Sequence, residues 1–151
     1  MDALGHVNNA VYLHYLEQAA IEHTAAVGFT FERLREIGGL FIARRHEIDY
    51  LRPAAAGDVL QVVTWPFEMK GAVAIRDYEV YRQDRPSGAT GDPAGDAVPA
   101  DRLLPPGYAP AGELVVRART QWVWVDTAQG RPRRMPTGMR DAFLAAAGRS
   151  G

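Results

Sequence analysis

Cysteine is absent from the 151-residue sequence, and serine occurs only as Ser87 and Ser150. Without cysteine there are no disulfides, no thiolate metal ligands and no thiol nucleophile. Ser87 lies in a stretch rich in proline and glycine, Ser150 is the penultimate residue, and neither belongs to a G-x-S-x-G motif. The sequence also lacks a P-loop and a dinucleotide-binding fingerprint. A carboxylate enzyme or a binding module therefore remains.

The sequence also lacks an excess of charge and a long apolar run. Its formal net charge is -1, which gives no reason to expect nucleic acid or an acidic membrane as a partner. No apolar run approaches the roughly 20 residues that cross a membrane, and the first residues lack the basic-then-apolar pattern of a secretory signal. The four histidines have no metal-binding spacing. We therefore expect a cytoplasmic protein with no metal site and no cofactor.

Hydrophobic periodicity divides the chain into a helical beginning, four strands and a short helical end. Apolar residues recur at helical spacing from Leu13 to Val27, on so many faces that we expect other structure to wrap this helix. A helical turn is predicted at 30–37 and a C-terminal helix at 137–147. Alternating patterns predict four strands, at 40–53, 58–70, 72–84 and 113–126. A helix followed by closely linked strands favours a single α+β domain with an antiparallel sheet.

Residues 85–112 interrupt this pattern with a segment dominated by proline, glycine, alanine and aspartate. A connection of this length without periodicity is usually disordered or a lid. Only Leu103, Leu104 and Tyr108 could anchor it to the rest of the domain. We therefore expect a disordered excursion between two neighbouring strands, with a lid as the alternative.

The chain opens with MDALGHVNNAVYLHYLEQAA, in which a polar cluster comes immediately before the helix. In a purely structural interpretation, Asn8 caps the helix with its side-chain oxygen and Asp2 complements the helix dipole. That interpretation does not require a second asparagine, a histidine and a glycine. A helix N-terminus with free N–H groups beside a carboxylate can also polarise a carbonyl group and attack it.

The stretch DALGHVNNAVYLHYLEQA closely resembles the active-site segment of hot-dog fold acyl-CoA thioesterases of the 4-hydroxybenzoyl-CoA thioesterase-like group. RPRRMP followed by a short helix resembles the C-terminal signature of that group. The resemblance implies a hot-dog fold, in which a curved antiparallel sheet wraps around one long central helix, and hydrolysis of an acyl-CoA thioester. It implies that Asp2 is the catalytic carboxylate and that the backbone N–H of Asn9 polarises the thioester carbonyl. Gly5 would let the substrate approach the backbone closely.

The resemblance also implies substrate-binding residues within and beyond the motif. His6, Val7, Asn8 and Tyr12 would shape the pocket or hydrogen-bond the substrate. A relative of the family uses a helix glutamate as its catalytic carboxylate, so Glu17 is a candidate second acid. The alternative, which we favour, is a structural glutamate paired with an arginine or a backbone group.

Coenzyme A carries phosphates that need cations, and the candidates are Lys70, Arg131, Arg133 and Arg134. Members of the family are homodimers or tetramers of dimers with active sites between subunits, so we expect the same here. A large aromatic content in a small sheet also favours a dimer; the residues concerned are Trp65, Phe67, Trp122 and Trp124.

The family pattern differs from this sequence at one point, since a strand precedes the catalytic aspartate in the family and Met1 precedes Asp2 here. We expect that strand to be missing or to be encoded upstream. A second class of function stays open: a non-catalytic hot-dog domain that binds an acyl-CoA or a protein partner. Release of free CoA from a panel of acyl-CoAs would discriminate the two.

Overall fold

The computed structural model describes residues 7–55, 57–83 and 111–146. Its three helices and four strands confirm the predicted elements to within a few residues; they are α1 (Asn9–Ala26), α2 (Phe31–Ile37), β1 (Gly39–Tyr50), β2 (Leu60–Lys70), β3 (Val73–Arg82), β4 (Glu113–Asp126) and α3 (Met139–Ala146). None of the described helices is long and apolar enough to cross a membrane. Of the segment 85–112, only Ala111 and Gly112 belong to the described residues, so its predicted disorder lies outside them.

The four strands form one antiparallel sheet in the order β1-β4-β3-β2. β4 is last in sequence but central in the sheet, so β1 and β2 are the edges. Arg82 at the end of β3 lies opposite Glu113 at the start of β4, which confirms that the long segment joins two neighbouring strands. Pro66 is tolerated in β2 because an edge strand can lose one N–H donor, and the pairing register shifts between Pro66 and Glu68.

Helix α1 lies on one face of this sheet. Asn8 caps it, and Gly28 follows its C-terminus with a φ of 103°, a conformation that favours glycine. The helix buries a single stripe of residues at i, i+4 and i+8, namely Tyr12, Leu16 and Ala20. Ile21 is 60 % exposed. Within the described residues of a single chain, the sheet therefore leaves part of the surface of α1 exposed.

The interior divides into two clusters along α1. The first core cluster surrounds the N-terminal and middle turns, where Leu16 packs with Tyr78 and Val80 of β3. The second core cluster surrounds the C-terminal end, where Phe29 packs with Trp124 of β4 and with other residues that include Met69, Met135, Met139 and Phe143. Each end of the helix is therefore anchored by its own set of side chains.

Trp124 is one of the four aromatic residues that favour a dimer in the sequence, but a single chain already covers it. Its side chain is fully buried within a single chain. The ring lies over Gly39, where any side chain would collide with it, and it contacts the edge of Phe41 with 5.0 Å between ring centroids. Trp124 thus needs no second subunit to cover it. Phe67, by contrast, remains 44 % exposed.

Candidate active site

Three hydrogen bonds fix the start of α1: one to the loop that follows β1, one within the helix cap and one to β1. The Val7 N–H donates to the Ala54 carbonyl at 2.7 Å, and the Asn8 side-chain oxygen accepts from the Ala10 N–H at 2.9 Å. The Tyr50 hydroxyl, at the end of β1, donates to the Asn9 carbonyl at 3.2 Å. Val7 also packs against the first core cluster. These contacts fix the direction in which the first turn of the helix points.

Asn9 is the first residue of this helix, so its N–H has no carbonyl within the helix to bond. No residue in the described part of the chain accepts a hydrogen bond from it. Asn9 is also exposed. Aligned peptide dipoles add positive potential at this end. The arrangement can stabilise a developing negative charge on a ligand oxygen.

Three residues of the opening motif, namely Asp2, Gly5 and His6, lie outside the described residues. Their roles stay predictions. Of the motif, the structure brings together Val7, Asn8, Asn9 and Tyr12 at the first turns of α1. Asn8 performs the capping role that the structural interpretation gave it.

Tyr12 lies one turn beyond Asn9 and faces the interior. It is 3 % exposed, and its ring contacts those of Tyr15 and Tyr50 at centroid distances of 6.4 and 5.7 Å. Its buried hydroxyl has no hydrogen-bond partner among the described residues. Burial is the main cause that raises the pKa of Tyr12, followed by the neighbouring Tyr15 and Asp58. Tyr12 is therefore a neutral hydroxyl with unused hydrogen-bonding capacity.

Glu17 faces His46 of β1, which the sequence analysis had not placed in any site. The Glu17 Oε1 atom lies 3.8 Å from the Nε2 atom of His46, and the His46 Nδ1 atom lies 2.9 Å from the buried hydroxyl of Thr120. Among the described residues, the contact of Glu17 is thus with a histidine and not with an arginine or a backbone group. A signal for His46 did exist, since it lies two residues from the half-buried Ile48 and so shares its strand face.

The four candidate cations lie at the other end of the sheet from Asn9. The Arg133 N–H donates to the Trp124 carbonyl at 2.9 Å, and the Asp126 N–H donates to the Arg131 carbonyl at 2.9 Å. These arginines thus lie beside the C-terminal end of β4, whereas Tyr50, which contacts Asn9, pairs with Val116 near the start of β4. Eight strand residues separate positions 116 and 124, or about 26 Å.

Lys70 pairs with Val73, which itself pairs with Val123, so Lys70 lies at the same distant end of the sheet. Arg134 is exposed and directly follows Arg133. A single chain therefore does not bring any of the four cations to Asn9. Within 7–55, 57–83 and 111–146, no group of three or more histidine and acidic residues could hold a metal ion.

The family of the chain is shown by its sequence over most of its length. The family model of the thioesterase-like superfamily matches residues 1–143, a range that includes the opening motif and every described strand. The chain belongs to this superfamily. The suspected relationship is thus confirmed.

Two relatives show what proteins of this kind do elsewhere. The chain is 37 % identical to the acyl-CoA thioesterase YbgC of Haemophilus influenzae over 82 residues, which is 54 % of this chain and 60 % of that protein. It therefore spans less than two thirds of that relative. The structure also resembles a thioesterase from Thermus thermophilus complexed with coenzyme A and Zn, with 27 % identity, a TM-score of 0.69 and coverage of 99 % of this chain and 88 % of that one.

A more distant structure supports the fold alone. The 1,4-dihydroxy-2-naphthoyl-CoA thioesterase from Synechocystis superposes with a TM-score of 0.66 at 17 % identity, covering 97 % of this chain and 86 % of that one. Together with the antiparallel sheet and the helix that packs on it, these matches confirm the predicted α+β hot-dog fold.

Proposed function

We propose that the protein hydrolyses an acyl-CoA thioester and releases a free carboxylic acid and CoA. The observation that carries this proposal is the capped, exposed start of α1, where the Asn9 N–H has no acceptor among the described residues. A thioester carbonyl oxygen placed there would accept that hydrogen bond, and the bond would strengthen as the oxygen becomes negative. The likeness to YbgC, an acyl-CoA thioesterase, supports the same activity.

The carboxylate in this proposal is Asp2. It would either activate a water molecule or attack the carbonyl carbon itself. In both routes the C–S bond breaks and the CoA sulfur leaves as the thiol after it takes up a proton. In the second route, water would then hydrolyse the anhydride between Asp2 and the acyl group, which releases the free acid and restores Asp2. Gly5 would admit the substrate close to the backbone. His6, Val7 and Asn8 would line the approach.

Two described side chains offer supporting roles. The unused hydroxyl of Tyr12, one turn from Asn9, is suited to donate a hydrogen bond to the bound substrate. Glu17, whose Oε1 atom lies 3.8 Å from His46, would supply a second carboxylate on the helix. We assign Glu17 a positioning role for two reasons. Its carboxylate already contacts His46, and Asp2, not Glu17, belongs to the motif that carries the resemblance.

We further propose that the active protein is a homodimer, or a tetramer built from dimers. Uncovered apolar side chains on α1 and on edge strand β1 support this, including Tyr15 at 37 %, Ile21 at 60 % and Ile42 at 47 % exposure. A second subunit is also the means by which a distant cation could reach the thioester site. The cations concerned are exposed and lie at the end of the sheet remote from Asn9, about 26 Å away along β4; they are Lys70, Arg131, Arg133 and Arg134.

The test is release of free thiol from a panel of acyl-CoAs with short, aromatic and long acyl groups. We expect turnover of at least one member, and we expect Asp2→Asn to abolish most of it while the melting temperature stays unchanged. Glu17→Gln serves as the comparison and should lose less than about tenfold, as general acid–base groups contribute 10²–10⁴. Wild-type CoA release by Asp2→Asn would refute the assignment of Asp2. Tight binding of an acyl-CoA by the wild type without thiol release would show the non-catalytic module instead.

A further inference from the structure

Arg76 of β3 is a buried cation that has no anion beside it among the described residues. It is 6 % exposed. Its Nη1 atom lies 2.8 Å from the Nδ1 atom of His23 and donates to the Thr64 hydroxyl at 3.2 Å. Neither group is negative, and no carboxylate among the described residues lies within ion-pair distance of the guanidinium. Buried charges are normally paired, because an isolated one is costly to remove from water.

Other arginines of the same chain show the usual arrangement. Arg119 makes two hydrogen bonds to Asp77, at 2.6 and 2.9 Å, and Arg52 pairs with Glu113 at 2.6 Å. These arginines are considerably more exposed than Arg76, with side-chain exposures of 42 % and 63 %. Arg76 thus differs from these two arginines, because it is far more deeply buried and has no carboxylate beside it among the described residues.

The histidine beside Arg76 does not compensate its charge. Burial, together with the positive charge of Arg76, lowers the pKa of His23 to about 4. His23 is therefore neutral at neutral pH, and its Nδ1 atom accepts the hydrogen bond from Arg76. Burial also lowers the pKa of Arg76, to about 10, which leaves the guanidinium protonated at neutral pH. One full positive charge remains in the interior.

That charge lines a pocket of about 210 Å³ at the C-terminal end of α1, which we call the Arg76 pocket. Arg76 is the one charged side chain among its lining residues, and the walls are otherwise almost entirely apolar, including Phe29, Phe41, Met69 and Trp122. An apolar cavity of roughly 150 Å³ is already large enough to bind benzene. The pocket therefore has room for a ring or a short chain as well as a charged end.

One side of the guanidinium is unused. No described residue accepts a hydrogen bond from its Nε or Nη2 atoms. The Phe143 ring, 5.6 Å from the guanidinium carbon, contributes an aromatic face. The planar fork of an arginine matches the two oxygens of a carboxylate.

We propose that the Arg76 pocket binds a small organic carboxylate, whose apolar body fills the cavity and whose carboxylate accepts hydrogen bonds from the unused side of Arg76. An inorganic anion would leave the apolar walls unfilled. A neutral apolar molecule would leave the cation unpaired. Ile21 at 60 % and Phe31 at 81 % exposure line the same pocket, so in a single chain it is open to solvent.

Within one chain the Arg76 pocket lies far from the start of α1. Thr24 of α1 lines the Arg76 pocket, and fifteen residues separate it from Asn9, which corresponds to about 22 Å along the helix. The proposal therefore does not rest on thioesterase activity, and neither result decides the other.

The first experiment is calorimetric titration of the full chain with benzoate, hexanoate, their uncharged amides and inorganic phosphate. We expect benzoate or hexanoate to bind at least tenfold more tightly than its own amide and than phosphate. Equal binding of acid and amide would show a plain apolar cavity and overturn the proposal. Failure of both carboxylates to bind would also overturn it.

The second experiment uses Arg76→Met, which keeps an apolar side chain of similar length and removes the charge. We expect at least a tenfold loss of carboxylate affinity with amide binding unchanged, and a melting temperature without ligand that does not fall, since an unpaired buried charge is removed. The exposed Arg35 lies on α2 outside the pocket, and Arg35→Met is the matched control. Carboxylate binding that survives in Arg76→Met would refute the proposal.

A third variant keeps Arg76 and removes the space. Ala25 lines the pocket, and Ala25→Phe should weaken benzoate binding at least tenfold while the fold and Arg76 are retained. Light scattering on the wild type and on Arg76→Met tests a last alternative, in which Arg76 pairs with a carboxylate of a second copy of the chain. If the protein is a dimer that Arg76→Met converts to monomers while benzoate does not bind, Arg76 meets a carboxylate of a second copy and the small-molecule proposal is wrong.

Discussion

The two ends of α1 present positive potential by different means. At the N-terminus the potential comes from backbone N–H groups, and Asn9 at this end is exposed. At the C-terminal end it comes from Arg76, a side chain of β3 that is 6 % exposed within apolar walls. The first arrangement suits an oxygen that becomes negative only during a reaction. The second suits a ligand that arrives negative and carries an apolar body.

The largest expected effect tests the N-terminal end by removing one hydrogen atom. Asn9→Pro deletes the backbone N–H at the first helical position, where proline is well tolerated. Asn8 already has the extended conformation, with φ -65° and ψ 141°, that a residue before proline requires. We expect kcat for acyl-CoA hydrolysis to fall about 10²–10³-fold, the usual loss for one oxyanion donor. Steady-state kinetics with thiol detection measure it.

The control for this change is Asn9→Ala, which removes the side chain and keeps the N–H. It should retain nearly full activity. The melting temperatures of both variants should stay close to that of the wild type, because α1 keeps its Asn8 cap. An active Asn9→Pro enzyme would show that the carbonyl is polarised elsewhere.

The same comparison shows what could be predicted from the sequence. The start of α1 was recognisable because its residues are contiguous and because Asn8 and Asn9 stand where a helix must begin. The four strands followed from alternation. The burial of Trp124, in contrast, could not be predicted from the sequence, since the space for its ring comes from Gly39 on a strand distant in sequence.

The Arg76 pocket could be predicted only in part. Alternation along β3 puts Arg76 on the same buried face as Tyr78 and Val80, so a charged residue among apolar ones was visible. Its partners were not, because His23 and Thr64 are 53 and 12 residues away in sequence. Their meeting depends on how α1 and β2 pack against β3.

The next largest expected effect is a pH dependence of the free energy of unfolding, caused by His23 near the C-terminal end of α1. Folded His23 has a pKa of about 4, whereas the unfolded chain has the ordinary value of 6.5. Between these values the unfolded state binds more protons, so the free energy of unfolding falls as pH decreases from about 6.5 to about 4. The loss reaches on the order of 3 kcal/mol. His23→Asn, which cannot titrate and can still accept from Arg76, should remove this part of the acid sensitivity.

Urea denaturation at a series of pH values between 4 and 8 measures the difference between His23→Asn and the wild type. The difference should be constant above pH 7, where His23 is neutral in both states, and should move in favour of the variant as pH falls. A difference that stays flat down to pH 4 would mean that His23 is protonated in the folded protein. The conclusion that Arg76 has no anionic partner would then be in conflict with a second positive charge beside it.

The smallest expected effect concerns the segment between β3 and β4, whose ends are already joined. Arg82 lies opposite Glu113 and forms an ion pair with it, and the Gln83 side chain donates to the Ala111 carbonyl at 2.9 Å. Neighbouring antiparallel strands can be linked by a few residues. Replacing 85–110 with a short glycine-containing turn should therefore leave the sheet intact.

Loop closure costs only about 0.6 kcal/mol per doubling of length, so the shorter chain should gain at most about 1–2 kcal/mol. We expect no loss of melting temperature and no change in CoA release or in carboxylate binding at Arg76. The control keeps the segment and replaces its large apolar residues, Leu103, Leu104 and Tyr108, with serine. A large loss of CoA release in both variants, with stability intact, would contradict this expectation. The segment would then be dispensable for folding and necessary for turnover, and we would conclude that these side chains close over the acyl group.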